Sequence, residues 1–373
     1  MRCGGCKNFR AEPEMMVEPT IERFGCTDFQ PVASVVVLNR NGAGWLPKCF
    51  ESIKRQTMCD QIEVIMVDND SSDNSVAVAR EWLGKFPSAA LVRNPVGLGY
   101  CGGNNNGTLA VHGKYTLYLN NDTWLEPDCL EKLVAETGRA GAAAASPWIL
   151  NYADNTHQDL GFFGFDIFSL SSPSRPLRET REVFVASGCA YFIDTEAFKQ
   201  VGMLDHEFFM YSDEVDLSWR VWIAGHKIVG VPAARVHHRG AAGVNPAGGT
   251  RAVEFRTTDE KRFLTNRNCI LILLKNGQHI IVLFVIPLIV LLFLEAFAGC
   301  LMLRRASFFK VAFLNPVQDC WRLRKHISQQ RRFIATFRKR SDFWMLRFFR
   351  LPLNRWFEIK RLFQFGLPRV DAR

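Results

Sequence analysis

The chain has 373 residues, with 46 Lys and Arg against 37 Asp and Glu and a formal net charge of +9. A length of this order allows one large domain or two ordinary ones. Hydrophobic residues make up 48% and charged residues 22% of the chain, an ordinary globular composition that excludes a disordered, collagen-like or coiled-coil protein.

The positive charge lies at the C-terminal end of the chain. Residues 304–373 carry a net charge of +14, whereas residues 1–303 carry −5. The eleven cysteines are an odd number scattered along the chain, and no apolar leader precedes them. We therefore expect a reducing, cytosolic setting.

Residues 1–30 are polar, show no clear period and are expected to form an N-terminal segment of unknown role. Strands and helices are predicted to alternate after this segment. The predicted strands are Ala33–Leu38, Glu63–Val67, Ala89–Val92 and Tyr115–Leu119. The predicted helices are Trp45–Gln56, Ser75–Phe86 and Asn104–His112. This alternation is typical of an α/β fold, in which a mostly parallel sheet is covered by helices on both faces and ligands bind beyond the carboxyl ends of the strands.

Polar residues follow the second predicted strand. Asp68, Asn69 and Asp70 have short side chains that can hydrogen-bond the base and ribose of a nucleoside. The alternative is a helix N-cap, which the next few residues could provide alone. The sequence leaves both interpretations open at this point.

A glycine-rich segment follows the third predicted strand. Gly97–Gly102 fits the pattern G-x-G-x-x-G, and Asp122 lies 20 residues after its last glycine, as in a dinucleotide-binding fingerprint. That fingerprint usually occupies the first strand-to-helix turn of a sheet, which argues against a nicotinamide-dependent oxidoreductase here.

A carboxylate with amide neighbours follows the fourth predicted strand. Asn120, Asn121 and Asp122 could hold a divalent cation that also takes oxygens from a diphosphate, because Mg²⁺ typically uses one or two protein carboxylates. The alternative is an Asx turn. His237 and His238 come later and are candidate metal or phosphate ligands, although a single interior histidine is more often structural.

Three acidic residues, Asp213, Glu214 and Asp216, lie between aromatic clusters. Apolar surroundings raise a carboxyl pKa, which suits a general base that works near neutral pH. If a helix begins here, the macrodipole also accounts for acids in its first turn. The apolar flanks favour the functional interpretation, because a solvated helix start does not need them.

An apolar stretch at residues 280–303, interrupted by Glu295, is long enough to cross a bilayer core of about 30 Å. A single crossing would separate the basic tail from the rest of the chain, against the positive-inside tendency. Pro287 is expected to split the stretch into a kinked re-entrant or in-plane hairpin. The aromatic and cationic tail then suits a helix on anionic lipid, and the adjoining apolar run favours a membrane over nucleic acid as its partner.

Several motifs occur together in a specific order. They are Val-Val-Val-Leu-Asn-Arg-Asn-Gly at 35–42, Val-Asp-Asn at 67–69, the glycines and asparagines of 94–107, Leu-Asn-Asn-Asp at 119–122, Phe-Phe-Met-Tyr-Ser-Asp-Glu-Val-Asp-Leu at 208–217, Pro232 and His238. From about residue 33 to about residue 345 the chain resembles the family-two glycosyltransferases of the GT-A fold. Within that family it is most similar to the rhamnosyltransferase-like branch of bacterial surface polysaccharide synthesis.

The resemblance implies three parts and a set of roles. The parts are residues 1–30, a GT-A domain at 31–268 and a helical membrane-associated region at 269–373. The implied nucleotide-sugar contacts are Asn39, Asn41, Asp68, Asn69, Asp70, Gly99, Asn105, Asn121 and Asp122. Asp122 and His238 would hold Mg²⁺ or Mn²⁺, although Asn120 replaces the first acid of the family's metal motif. Asp213 and Glu214 stand in the reverse of the family's usual order, so both are candidates for the catalytic base.

The implied activity is an inverting, metal-dependent transfer of one rhamnose-like sugar. The donor would be dTDP-rhamnose or a UDP-sugar, and the acceptor a hydroxyl of a lipid-linked glycan at the cytoplasmic face of the membrane, where the enzyme would be peripheral or monotopic. The alternatives are a processive polysaccharide synthase of the same fold, the oxidoreductase above, and a catalytically silent nucleotide-sugar-binding or membrane scaffold protein.

Overall fold

The computed structural model describes residues 18–26, 28–168, 175–240, 256–351 and 369–371. The strands are β1 Thr20–Gly25, β2 Ala33–Asn39, β3 Ile62–Asn69, β4 Ser88–Asn94, β5 Tyr115–Asn120, β6 Thr123–Leu125, β7 Ala144–Asn151, β8 His157–Asp159, β9 Arg181–Glu182, β10 Ala190–Asp194, β11 Ile228–His238, β12 Arg256–Thr258 and β13 Arg369–Asp371. The helices are α1 Leu46–Lys54, α2 Ser75–Leu83, α3 Gly99–Thr108, α4 Cys129–Ala140, α5 Thr195–Gln200, α6 Asp213–Ile223, α7 Asp259–Asn276, α8 Val285–Met302, α9 Ala306–Phe309, α10 Asn315–Arg322, α11 Arg324–Phe337 and α12 Asp342–Met345.

One mixed sheet organises the fold. Its strand order is β1-β4-β3-β2-β5-β10-β7-β11-β6, with β8 paired to β7 and β9 paired to β11. Strands β4, β3, β2 and β5 are parallel, whereas β10 runs antiparallel to both of its neighbours. The four predicted strands are confirmed to within two residues, because their β-branched runs are fully buried in the middle of the sheet.

Both faces of the sheet are covered, as predicted. Alternate residues of a strand point to opposite faces. Val35, Val37 and Met66 pack with residues of α1, α2 and α4, whereas Val36 and Val67 pack with residues of α3, α6, α7 and α8. The result is a three-layer α/β structure.

The expectation that regular structure begins only after residue 30 is wrong. Strand β1 pairs antiparallel with β4 at the edge of the sheet, with Thr20 opposite Arg93 and Gly25 opposite Ser88. Its side chains are mostly exposed, so it lacks the apolar pattern that would have revealed it. The rest of the expected N-terminal segment, residues 1–17 and 27, lies outside the described residues.

The predicted helix Asn104–His112 is also displaced, because α3 begins five residues earlier, at Gly99. Glycine has a low helix propensity, which hid this start. The glycines serve close packing: a Cβ on Gly103 would meet Leu38, and one on Gly107 would lie 2.7 Å from side-chain atoms of Val36 and Val67. Tertiary packing against the sheet therefore overrides the local preference.

The expected boundary between residues 268 and 269 falls inside α7. The expectation that Pro287 splits the apolar stretch is wrong, because α8 continues past it to Met302. Pro287 is the third residue of α8, in the first turn, where no intrahelical N–H bond is required. The chain turns back only at Arg304, which has a φ of 50°.

By length and composition, Ile281–Met302 is the one described helix that could span a bilayer. It has 22 residues, a mean hydropathy of 2.9 and 22% of its apolar window buried inside the protein. Its buried side chains Leu288 and Leu292 belong to the same core cluster as the sheet.

Candidate active site

The predicted polar residues lie at one edge of the sheet. In the parallel register Asn39 is opposite Asp68, Asn69 is opposite Asn94, and Leu38 is opposite Asn120. The carboxyl ends of β2, β3, β4 and β5 therefore bring the separate sequence motifs to one place. This is where an open α/β sheet binds its ligands.

Asp68 is buried, and its Oδ1 atom has no hydrogen-bond partner among the described residues. Beside it, the Nδ2 of Asn121 donates to Oδ1 of Asn39 at 2.6 Å, and Nδ2 of Asn39 donates to Oγ of Ser71 at 3.2 Å. Both polar atoms of the Asn39 side chain are therefore engaged within the protein. An unpaired buried carboxylate oxygen is costly unless something else supplies a donor, so Asp68 is the member of this group that is ready for a ligand.

Asn41 and Asp70 lie where the chain bends around this edge. Both have positive φ values, 52° and 65°, and Oδ1 of Asn41 accepts hydrogen bonds from the backbone N–H and hydroxyl of Ser72. Asn41 thus joins the loop after β2 to the loop after β3, and Asp70 is exposed.

Two further predicted contacts are engaged within the protein. The Nδ2 of Asn69 donates to the Gly99 carbonyl at 2.9 Å, and its Oδ1 accepts from the Leu98 N–H at 3.0 Å. Asn105 pairs both ways with the backbone of Leu204. Gly99 has a φ of +66°, and Phe209 leaves no room for a Cβ on it, so this packing accounts for the glycine that suggested dinucleotide binding.

Asp122 and His238 come together from β11 and the turn after β5. The distance from Oδ1 of Asp122 to Nε2 of His238 is 3.4 Å. Burial alone would raise the pKa of Asp122, but the hydrogen bond and charge of His238 outweigh it and lower that pKa. Burial alone would lower the pKa of His238, but Cys189 and Asp122 raise it well above its ordinary value.

A divalent cation that displaced the Nε2 proton of His238 could bind this imidazole nitrogen and one carboxylate oxygen of Asp122 together. Carboxylate ligands suit Mg²⁺ and Mn²⁺, and these ions keep open positions for water or a diphosphate. Within the described residues no group of three His, Cys, Asp or Glu side chains forms a cation site. The donors therefore fit an ion that takes most of its ligands from a bound diphosphate rather than from a closed protein cage.

Helix α6 begins with the acidic residues. Burial raises the pKa of Glu214 to about 7, and the Asp159 carboxylate adds to this effect. Burial and the charge of Glu214 raise the pKa of Asp213, which is 4% exposed. Asp216 differs: Nε and Nη2 of Arg220 donate to it at 3.0 and 2.8 Å, so this carboxylate belongs to a buried ion pair.

The segment before β10 connects the acids to the Asp122–His238 pair. A Cβ on Gly188 would lie 3.4 Å from Cβ of Glu214, and the next residue, Cys189, interacts with His238. Consecutive Cα atoms are about 3.8 Å apart, so Glu214 and His238 both lie close to the same two-residue stretch of chain. The hydroxyl of Tyr100 donates to the Gly188 carbonyl at 2.6 Å and closes this side of the site.

Sequence reasoning missed several residues of this edge. Tyr100 lies inside the glycine-rich motif, and Arg40 reaches towards Gly97. Arg239 is buried next to His238, with its guanidinium 3.8 Å from the ring centroid of Trp45. The arginines directly follow Asn39 and His238 in the sequence, and cations beside a predicted diphosphate site would have been the signal for them. His237, by contrast, stacks on Trp124 and has a structural role.

The sheet order and this edge define the class of fold as GT-A-like α/β. Over 90% of this chain and 58% of the other, the structure superposes on the crystal structure of GalNAc-T7 with UDP, GalNAc and Mn²⁺, with a TM-score of 0.59 at 16% identity. Residues 34–202 match the family model described as Glycosyl transferase family 2. The resemblance to that family is confirmed for this part of the chain.

Similar sequences bear compatible names. EpsH of Bacillus subtilis (strain 168), named as a glycosyltransferase, is 32% identical over 29% of this chain and 31% of its own length. The chondroitin synthase of Pasteurella multocida (strain Pm70) is 29% identical over 28% of this chain and 11% of its own. The O-antigen biosynthesis protein RfbC of Myxococcus xanthus is 24% identical over 57% and 18%. The chain thus covers less than a third of the length of each of these relatives.

Proposed function

We propose that the protein is an inverting glycosyltransferase that moves one rhamnose-like sugar from a nucleoside-diphosphate sugar to a hydroxyl of a lipid-linked glycan. The observation that carries this proposal is that Glu214 lies next to Gly188 and the Asp122–His238 pair lies next to Cys189, at the edge where Asp68 has an unpaired oxygen. A base and a diphosphate site that meet at one short segment suit a displacement at a sugar carbon bound there. The family match over residues 34–202 supports the same class.

Each residue has a distinct task in this proposal. Asp68 accepts a hydrogen bond from the nucleoside of the donor. Glu214 removes the proton from the acceptor hydroxyl as that oxygen bonds to the anomeric carbon, and the bond from this carbon to the nucleoside diphosphate breaks. Mg²⁺ or Mn²⁺ held by Asp122 and His238 would neutralise charge on the diphosphate.

A thermal-shift panel tests the donor class. The full chain would be heated with TDP, UDP, GDP or NADH, each with Mn²⁺ or with EDTA. A ligand at 100 times its Kd stabilises the folded state by about 2.7 kcal/mol, so one nucleoside diphosphate should raise Tm in a metal-dependent way. A rise with NADH alone would favour the oxidoreductase instead.

A second experiment distinguishes the two candidate bases. Glu214→Gln should lower kcat for donor turnover by about 100-fold or more, because general base catalysis contributes that much, while nucleoside diphosphate binding persists. Asp213→Asn is the matched variant, since both changes remove one charge from the same helix start. Loss of turnover in Asp213→Asn alone would move the base to Asp213. No donor turnover by the wild-type chain, with nucleoside diphosphate binding intact, would favour the silent scaffold.

The lipid-linked acceptor requires a membrane, and we place the contact on the outer face of α8. Of the 18 large hydrophobic side chains that are exposed among the described residues, 13 lie between residues 283 and 351. The exposed residues of the outer face recur every three or four positions, at Ile286, Val290, Leu294, Phe297 and Leu301, and Leu283 extends the series into the turn before α8. An apolar stripe of this kind fits the interface of a bilayer.

The inner face of α8 supports an in-plane arrangement. Leu288 and Leu292 are buried in the main core, so a crossing would have to remove them from it. Trp321 is 71% exposed with the Arg324 guanidinium 5.3 Å from its ring, a pair that suits the headgroup region of anionic lipid. The enzyme would therefore be monotopic on the cytoplasmic face of the membrane.

Vesicle co-sedimentation tests this contact. The wild-type chain should sediment with phosphatidylglycerol vesicles more than with phosphatidylcholine vesicles. Ile286→Ser combined with Leu294→Ser should reduce sedimentation at least fivefold. Leu109→Ser changes a side chain that is 60% exposed at the end of α3, far from α8 in the sequence, and should not reduce it. Equal sedimentation of both variants would contradict the assignment of α8.

A further inference from the structure

The segment that leads into α6 has an unusual backbone. Phe209, Tyr211 and Ser212 have φ values of 61°, 69° and 60°, in the left-handed region that residues with side chains rarely adopt. Such conformations cost energy and persist only where the surrounding structure holds them. These residues directly precede Asp213 and Glu214, so whatever holds them also sets the position of the acids.

The hold comes from α7, outside the part of the chain that matches the family model. The Nδ2 of Asn268 donates to the carbonyls of Phe208, Met210 and Tyr211 at 3.1, 3.0 and 2.7 Å. Asn268 has no exposed surface. One buried amide therefore serves three carbonyls of the same short loop.

Arg267 completes this contact. Its Nη2 donates to the carbonyls of Glu207 and Phe208 at 2.6 and 3.1 Å. Its Nε donates to Oδ1 of Asn268 at 3.0 Å, and its Nη1 bonds Asp319 of α10 at 3.2 Å. The amide of Asn268 is thus fixed in rotation, with its two N–H groups shared among the three carbonyls.

The opposite side of the loop is fastened to the glycine-rich helix. The N–H of Cys101 donates to the Phe209 carbonyl at 3.1 Å, and Gly99 leaves space for this carbonyl because it has no Cβ. Carbonyls 208, 210 and 211 therefore face α7, whereas carbonyl 209 faces α3. The loop has partners on both sides before the chain reaches Glu214.

We propose that Asn268 is a positioning residue for the catalytic base: its amide holds residues 208–211 in their strained conformation and so fixes Glu214 against Gly188. Arg267 supports it. This inference rests on the proposed function, because it takes Glu214 as the base.

A matched pair of variants on α7 tests the proposal. Asn266 is also buried on α7, and its Nδ2 donates to the Ala312 carbonyl at 2.7 Å, away from the acidic loop formed by residues 207–212 before α6. Asn268→Ala and Asn266→Ala both remove a buried amide, so both should lower Tm. Only Asn268→Ala should lower kcat for donor turnover, by at least tenfold with the donor KM within twofold. Only Asn268→Ala should speed amide hydrogen exchange in residues 207–216.

Donor turnover by the wild-type chain distinguishes a failure of the proposed function from a failure of the positioning role. A wild-type chain that turns over no donor refutes the proposed function, and the role assigned to Asn268 falls with it even if the exchange pattern is as expected. With an active wild type, faster exchange without a fall in kcat would overturn the positioning role, as would equal falls in kcat for both variants. If Asn268→Ala does not fold, Arg267→Lys replaces it: a single ammonium cannot reproduce the guanidinium contacts, and kcat should fall about threefold or more.

Discussion

Two regions of the molecule use polar residues in opposite ways. In the sheet half, residues 33–122, the middle of each central strand is apolar and the polar side chains gather at the strand ends. In the layer that contains α6 and α7, by contrast, charged side chains form ion pairs inside the protein. Lys275 has no exposed side-chain surface, and its partners Asp205 and Asp216 have 3% and 1%.

The difference shows what each region's geometry depends on. The sheet edge follows from strand periodicity and register, which are local properties of the sequence. The helical layer depends on the ion pairs of Lys275 with Asp216 and Asp205, which are separated from it by 59 and 70 positions in the sequence. The chain must bring these partners together against the cost of desolvation. The first region should therefore tolerate the loss of one polar contact better than the second.

The largest effect is expected from breaking the buried ion-pair network of Lys275, Asp205 and Asp216. Lys275→Met should lower the free energy of unfolding by about 3 to 5 kcal/mol, because it leaves two buried carboxylates short of a cation. Lys85→Met, which removes an exposed pair with Glu81, should cost no more than about 0.5 kcal/mol. Chemical denaturation measures both, and similar costs would mean that the two regions do not differ.

The same network has a defined pH dependence. Burial alone would raise the pKa of both carboxyls, but Lys275 and His326 lower the pKa of Asp205, and Arg220 and Lys275 lower the pKa of Asp216. A carboxyl whose folded pKa lies below its unfolded value of about 3.9 contributes stability above that pH, and the contribution is lost as pH falls. The cost of Lys275→Met should therefore shrink below about pH 4.

A smaller effect tests close packing at the sheet. Gly107→Ala should cost about 1 to 3 kcal/mol, because its Cβ would lie 2.7 Å from atoms of Val36 and Val67. Gly138→Ala in α4 meets no atom within 4 Å and should instead stabilise the chain by about 0.5 to 1 kcal/mol. Thermal unfolding should give opposite signs, and equal signs would contradict the packing described for α3.

The smallest effect is a shift in a pH profile. If Glu214 is the base, kcat/KM should rise with pH through about 7, because only the deprotonated carboxylate accepts a proton. Asp159→Asn removes a charge that raises the Glu214 pKa and should move this limb to lower pH. The side-chain oxygen at 159 that accepts the Gly161 N–H is kept, which preserves the local fold. If the limb does not move, the pKa in the profile belongs to a group other than Glu214.

The sequence predicts the first region far better than the second. The runs at 33–38 and 63–67 identify their own strands, and register then brings Asp68 and Asp122 to one edge. Strand β1 was not predicted, because its side chains are exposed. The start of α3 was not predicted, because the packing of its glycines overrides their low helix propensity. Asn268 gave no sign at all, since its three partners lie 57 to 60 positions away and are backbone carbonyls. Every residue has a backbone carbonyl, so no pattern of side chains identifies the three carbonyls that Asn268 binds.

Helix α7 runs unbroken from Asp259 to Asn276, and this continuity has an evolutionary consequence. Asn268 and Arg267 bind the acidic loop, and Asn266 and Arg267 bind the layer formed by α10 and its preceding turn. A junction between the acidic loop and α7 would separate Asn268 from the carbonyls that it binds. The acidic loop and the helices from α7 onward should therefore be inherited as one unit, and chimaeras of relatives should work only when both come from the same parent.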